Sequence, residues 1–184
     1  MDYYFDTSSL VALARYYHPF DKTEGLYEFV KNKFMQKEIL VLDAILQESR
    51  FTSQGCVLNA YPFIEENKDL IIKTKEMMPF STKKFDNMLN NNFSVPALVK
   101  STDPEKYSIL KQDFLNSGDG KLILTMFNRL HDDKDADVCV VTEESPYSND
   151  GKGFKKIPAL CEIVKARCIT LVDYLSQTPF KVII

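Results

Sequence analysis

The sequence predicts an α/β protein, a three-layer α/β/α sandwich built on a mainly parallel central sheet. Short, nearly continuous apolar runs at residues 39–42, 138–141 and 168–171 lack the alternation of half-wet strands and read as strands covered on both faces. Between them lie stretches with apolar residues three and four apart, the pattern of helices that bury one face. The 184 residues, 45% hydrophobic and 27% charged, suit one domain with a closed core, and exclude disorder and repeat architectures.

The chain opens with a strand at Tyr3, Tyr4 and Phe5, and Leu10, Val11, Leu13 and Ala14 then mark a helix joined to it at Asp6. Leu26, Phe29, Val30 and Phe34 form the stripe of a second helix over residues 22–34, before the strand at 39–42. Asp43 is placed to cap a helix running to about residue 54, which Gly55 would end. Residues 62–103 are helical in pattern but interrupted by Met77-Met78-Pro79 and by Asn90-Asn91-Asn92, and read as a helical insertion in the single domain. A helix follows over 104–115. Asp119 then opens another, striped by Leu122, Ile123, Met126, Phe127 and Leu130. After the strand at 138–141, residues 143–156 read as a loop, Pro158 starts a short helix, and the strand at 168–171 precedes a terminal helix.

No apolar run approaches the ~20 residues of a membrane span. The opening Met-Asp-Tyr-Tyr-Phe-Asp lacks the basic-then-apolar order of a secretory signal, so a cytoplasmic protein is expected. The net charge of -3 advertises no basic face for nucleic acid, so a polyanion would need local lysines or a metal ion. The cysteines Cys56, Cys139, Cys161 and Cys168 form no C-x-x-C pair and lie far in sequence from His18 and His131, which argues against structural zinc and for buried thiols.

The chemistry concentrates in acids at strand ends. Asp6 ends the first strand, and Thr142, Glu143 and Glu144 follow the strand at 138–141, so parallel strands would bring them to one edge. Glu48, with Ala44 before it and Phe51 after, falls on the inward stripe of its helix. Asp119 starts a helix whose dipole favours an ionised carboxylate. Converging acids raise one another's pKa values, a cost that a divalent cation removes. Oxygen-only ligands suit Mg²⁺ or Mn²⁺, and such an ion permits phosphodiester hydrolysis without a catalytic histidine. Each acid also has a local explanation: Asp6 and Asp119 as helix caps, Glu48 as an ion-pair member, Glu143 and Glu144 as solvated turn residues.

Asp6-Thr7-Ser8-Ser9-Leu10 after a strand, Glu48 in the helix after the second strand, Gly118-Asp119 opening a later helix, and Val140-Val141-Thr142-Glu143-Glu144 together resemble the ordered acids of PIN-domain nucleases. Lys156-Ile157-Pro158, Cys161-Glu162 and the run 168–175 extend the resemblance to a PIN-like family long catalogued only as a domain of unknown function. It covers most of the chain. It implies a metal-dependent endoribonuclease for single-stranded RNA, often the toxin of a toxin and antitoxin pair, with products ending in 5′-phosphate and 3′-hydroxyl. By this resemblance Asp6, Glu48, Asp119 and Glu144 are the catalytic, metal-binding acids, and Ser8 and Thr142 support them. In two places the chain departs from the family pattern. The last acid, usually aspartate, is Glu144, with Glu143 able to substitute, and Gly118-Asp119-Gly120 replaces Ala-Asp, a change expected to loosen that turn.

For the RNA, Lys152, Lys155 and Lys156 follow the acidic edge directly and are the expected phosphate contacts. Tyr16, Tyr17 and His18 are candidates for base stacking. An antitoxin protein is the expected partner, with a homodimer left open. Two rival readings stand. One is a phosphatase with Asp6 as nucleophile, which lacks the second aspartate because Ser8 holds its place. The other is a catalytically silent α/β module that binds RNA or a partner protein.

Overall fold

The computed structural model describes residues 1–146 and 153–178. At its centre a parallel sheet is formed by β1 (Asp2–Phe5), β2 (Ile39–Leu40), β3 (Val138–Val141) and β4 (Arg167–Ile169), in the order β2-β1-β3-β4. β1 is thus an inner strand, with β2 added on one side of it and later β3 on the other. All four residues of β3 and the side chain of Phe5 are buried, which explains the unbroken apolar run at 138–141. Register pairs Tyr4 with Val140 and Phe5 with Val141, so Asp6 and Thr142 leave the sheet side by side. The direction of strand addition reverses at β1, and the carboxyl ends of β1 and β3 therefore border the crevice where open α/β sheets take ligands.

The helices are α1 (Thr7–Ala12), α2 (Gly25–Met35), α3 (Asp43–Phe51), α4 (Cys56–Ala60), α5 (Phe63–Glu66), α6 (Thr82–Met88), α7 (Pro96–Ser101), α8 (Pro104–Asn116), α9 (Gly118–Asp132), α10 (Ile157–Val164) and α11 (Leu171–Ser176). Parallel neighbours require crossovers, and right-handed crossovers place connections that move in opposite directions across the sheet on opposite faces. The step from β1 to β2 moves one way, and the steps to β3 and β4 move the other. So α1 and α2 cover one face while α9 and α10, packed on each other, cover the second. Helix α3 touches both α1 and α9, and brings its inner face to the crevice between them. Among the described residues no helix is long and apolar enough to cross a membrane.

The structure corrects several boundaries. The strand expected at 39–42 pairs with β1 only through Ile39 and Leu40, because Leu42 bridges in parallel to Ile72 instead. Asp43 does not cap α3: it is the first helical residue, and its Oδ1 accepts from the Thr74 amide at 3.0 Å and from the Thr74 hydroxyl. Helix α3 stops at Phe51 because Ser53 and Gln54 adopt left-handed backbone angles, three residues before the expected end. The last strand ends at Ile169 rather than 171, since Thr170 instead caps α11 in a reciprocal pair with Asp173. In residues 62–103 two helices and a π-helical turn (Leu89–Phe93) follow α5, joined by a strap whose Met78 carbonyl and Phe80 amide are both held by the Asn128 side chain on α9.

Candidate active site at the carboxyl edge of the sheet

Asp6 is the residue next after β1, and its own side chain caps α1 by accepting from the Ser9 amide at 2.8 Å. The cap reading and the site reading of Asp6 therefore coincide. Thr142, its neighbour across the sheet, donates to Asp6 Oδ2 at 2.7 Å, and Ser8 Oγ lies 3.0 Å from both carboxylate oxygens. The residue is 2% exposed. Burial lifts its pKa from 3.8 to about 6, against the pull of these donors, and among the described residues no cation forms an ion pair with it.

Glu48 projects from α3 into the same crevice. The Thr7 hydroxyl donates to its Oε2 at 2.8 Å, and the Gly118 amide, first in α9, to its Oε1 at 2.6 Å. Gly118 is needed for that approach: a Cβ there would meet Glu48 Oε2 and the Ile45 side chain, each at 2.6 Å. A Cβ on Gly120 would run into the Phe114 carbonyl. The Gly-Asp-Gly turn is thus tightly filled, not loosened. Ser117 caps α9 by accepting from the Gly120 amide at 3.1 Å, so Asp119 is a first-turn residue and not the cap.

The two glutamates after β3 differ. Glu144 receives Lys156 Nζ at 3.0 Å on one oxygen and the Ile157 amide at 2.9 Å on the other, with both side chains of the ion pair about 15% exposed. Glu143 is exposed, and its Oε1 accepts from the Leu171 amide at 2.7 Å. Their backbone amides complete the cluster, Glu143 donating to Ser8 Oγ at 2.8 Å and Glu144 to Thr142 Oγ1 at 3.1 Å.

Asp6, Glu48, Asp119, Glu143 and Glu144 all line one cavity of about 720 Å³, with Ser8, Tyr16 and Tyr17 also on its wall. Among the described residues no three His, Cys, Asp or Glu side chains are gathered closely enough to hold one ion.

The chain matches the model of a family described as a domain of unknown function, DUF4411, over residues 3–182. It belongs to that family. No curated protein and no solved structure matches it.

In this DUF4411 protein the donor set fits a hard divalent cation in its chemistry, being all oxygen, and Asp6 is a buried carboxylate whose desolvation a cation would offset. Glu144 fits least well, because Lys156 already supplies the positive charge. Of the expected phosphate contacts, Lys156 therefore faces Glu144 rather than a substrate, Lys155 is half-buried with its amide donating to the Phe93 carbonyl at 2.9 Å, and Lys152 lies outside the described residues. Thr7 and Gly118, which hold Glu48, stand in the sequence motifs around Asp6 and Asp119 but had no role of their own there. The hydroxyl run Thr7-Ser8-Ser9 behind Asp6 was the available signal for the first, and nothing local linked the second to Glu48.

Proposed function

We propose that this protein is a PIN-like, Mg²⁺- or Mn²⁺-dependent endoribonuclease that hydrolyses single-stranded RNA, serving as the toxin of a toxin and antitoxin pair in the cytoplasm. The observation that carries the reading is the cavity at the strand-order reversal, which Asp6, Glu48, Asp119 and Glu143 all line and where the buried Asp6 has no ion-pair partner among the described residues. These four are the residues that would hold a cation, and to share one they would have to draw closer together than they lie here. When bound, such an ion neutralises charge developing on a phosphate and makes water a stronger acid.

The chain's own groups prepare that site. Thr142 and Ser8 fix the orientation of the Asp6 carboxylate, which at pH 7 is still mostly ionised, and Thr7 with the Gly118 amide fixes Glu48. The Glu144–Lys156 ion pair ties the end of β3 to the start of α10 and so holds the rim. Neither histidine lines the cavity, which leaves no imidazole pair to deprotonate a ribose 2′-hydroxyl.

The test is RNA cleavage by the full chain with Mn²⁺, with EDTA, and in Asp6→Asn and Asp119→Asn variants. Shortening that needs Mn²⁺, leaves 5′-phosphate ends and disappears in both variants supports the reading. Cleavage that persists in EDTA, or that ends in cyclic phosphate, refutes it. A catalytically silent module is the second reading, favoured by the protein donors on Asp6, Glu48 and Glu144; it is expected to cleave nothing and to gain no thermal stability from Mn²⁺.

A further inference from the structure

Glu48 lines a second cavity besides the acidic one. This space, about 560 Å³, is also lined by Phe51, Lys75 and Lys121. Neither Lys75 nor Lys121 has an ion-pair partner among the described residues. The other carboxylate here, Asp43, turns its Oδ1 onto the Thr74 amide and hydroxyl, and so pins the segment that presents Lys75. Phe51 is the most exposed large apolar side chain described, at 81%. A ring left that wet has a face available to any flat partner.

A cavity walled by carboxylates repels a polyanion, so a nucleic acid held there must be gripped beside it, not within it. Two ammoniums with no ion-pair partner among the described residues suit a phosphate, and an exposed aromatic face suits a base of any sequence. We infer that the Lys75–Lys121–Phe51 cavity is a nucleotide subsite: the lysines hold a backbone phosphate and Phe51 stacks a base of a single-stranded RNA whose reacting phosphate lies across Glu48. The inference rests on the nuclease reading for the reaction, but not for the binding. It moves the phosphate grip from the loop after β3 to the junction of α3 and α9.

The test is fluorescence anisotropy of a labelled single-stranded oligouridylate with the full chain in EDTA, over a series of salt concentrations. The Lys75→Gln/Lys121→Gln double variant should weaken binding and reduce the slope of log Kd against log salt by about 1. Phe51→Ser should weaken binding about tenfold with an unchanged slope. Lys37→Asn/Lys134→Ala, which removes equal charge elsewhere on the surface, should change little. An unaltered slope in the Lys75/Lys121 variant, an equal loss in the control pair, or no binding by the wild type overturns the inference. Binding that follows these lysines in a protein that never shortens RNA with Mn²⁺ leaves the subsite standing and removes the nuclease. Cleavage with binding indifferent to these lysines does the reverse.

Discussion

Asp6→Asn separates the electrostatic role of this residue from its role as a cap. In the unfolded chain the carboxyl loses its proton near 3.8, and in the folded protein near 6. Between those values the folded state binds more protons, so stability falls as pH rises, and the penalty is complete above the folded value. That difference corresponds to about 3 kcal/mol, at 1.36 kcal/mol for each pH unit. Asparagine cannot ionise; it loses some of the bonds from Ser8, Ser9 and Thr142, at about 1 kcal/mol each, but that loss is the same at every pH. Urea unfolding of both proteins from pH 4 to 7.5 therefore isolates the titration, since other carboxylates cancel in the comparison. The stability of wild type relative to the variant should drop by about 2.4 kcal/mol across this range, the remainder being lost below pH 4. Saturating Mn²⁺ should shrink the drop, because a cation stabilises the ionised carboxylate. A difference that is flat, or that rises with pH, would falsify the account of Asp6 as a desolvated acid.

Glu144→Gln should destabilise the fold by about 2–3 kcal/mol by removing the carboxylate that faces the largely buried Lys156 ammonium, and Glu144→Gln/Lys156→Met should recover most of it; an additive double-mutant cycle in denaturant melts speaks against the pair. Gly118→Ala should cost about 1–3 kcal/mol by overpacking Glu48 and Ile45, and should weaken Mn²⁺ binding by calorimetry; an unchanged melting temperature would mean that Glu48 can step aside. Thr142→Val keeps the side-chain shape but removes a donor to Asp6 and the acceptor for the Glu144 amide, so it should lower stability by about 1–3 kcal/mol. The same variant should move the Asp6 titration to higher pH, and a downward or absent shift in carboxyl NMR counts against the bond.

The central architecture was legible because burial on both faces leaves a signature, an apolar run, and because parallel pairing forces residues that follow such runs to one edge. Asp6 and Thr142 were placed by that logic alone. Glu48 was found by helical spacing, which says that a side chain points inward but not what it meets. Its partner Gly118 lies 70 residues away, and no periodicity links the two. The Glu144–Lys156 pair was missed for the same reason: both sit in irregular chain, and the lysine read as a substrate contact because a loop has no pattern to show which way a side chain turns. The early end of α3 followed from positive φ at Ser53 and Gln54, residue types that give little warning of it.

The placement of β1 has a consequence for how the protein comes into being. Of the four strands of this sheet the inner β1 is made before the others, and the hydroxyl that locks its terminal aspartate arrives 136 residues later. At about 5–20 residues per second, a growing chain spends roughly 7–27 s with Asp6 made and Thr142 absent. Until β3 inserts, one edge of β1 is unpaired and the Asp6 carboxylate stays hydrated, with its ordinary acidity. The acidic crevice is consequently a product of the longest-range closure in the sheet, a slow class of contact in folding. Nascent or truncated chains that stop before residue 138 carry Asp6, Glu48 and Asp119 but lack the strand beside β1, so the crevice they line is not closed until β3 has been made.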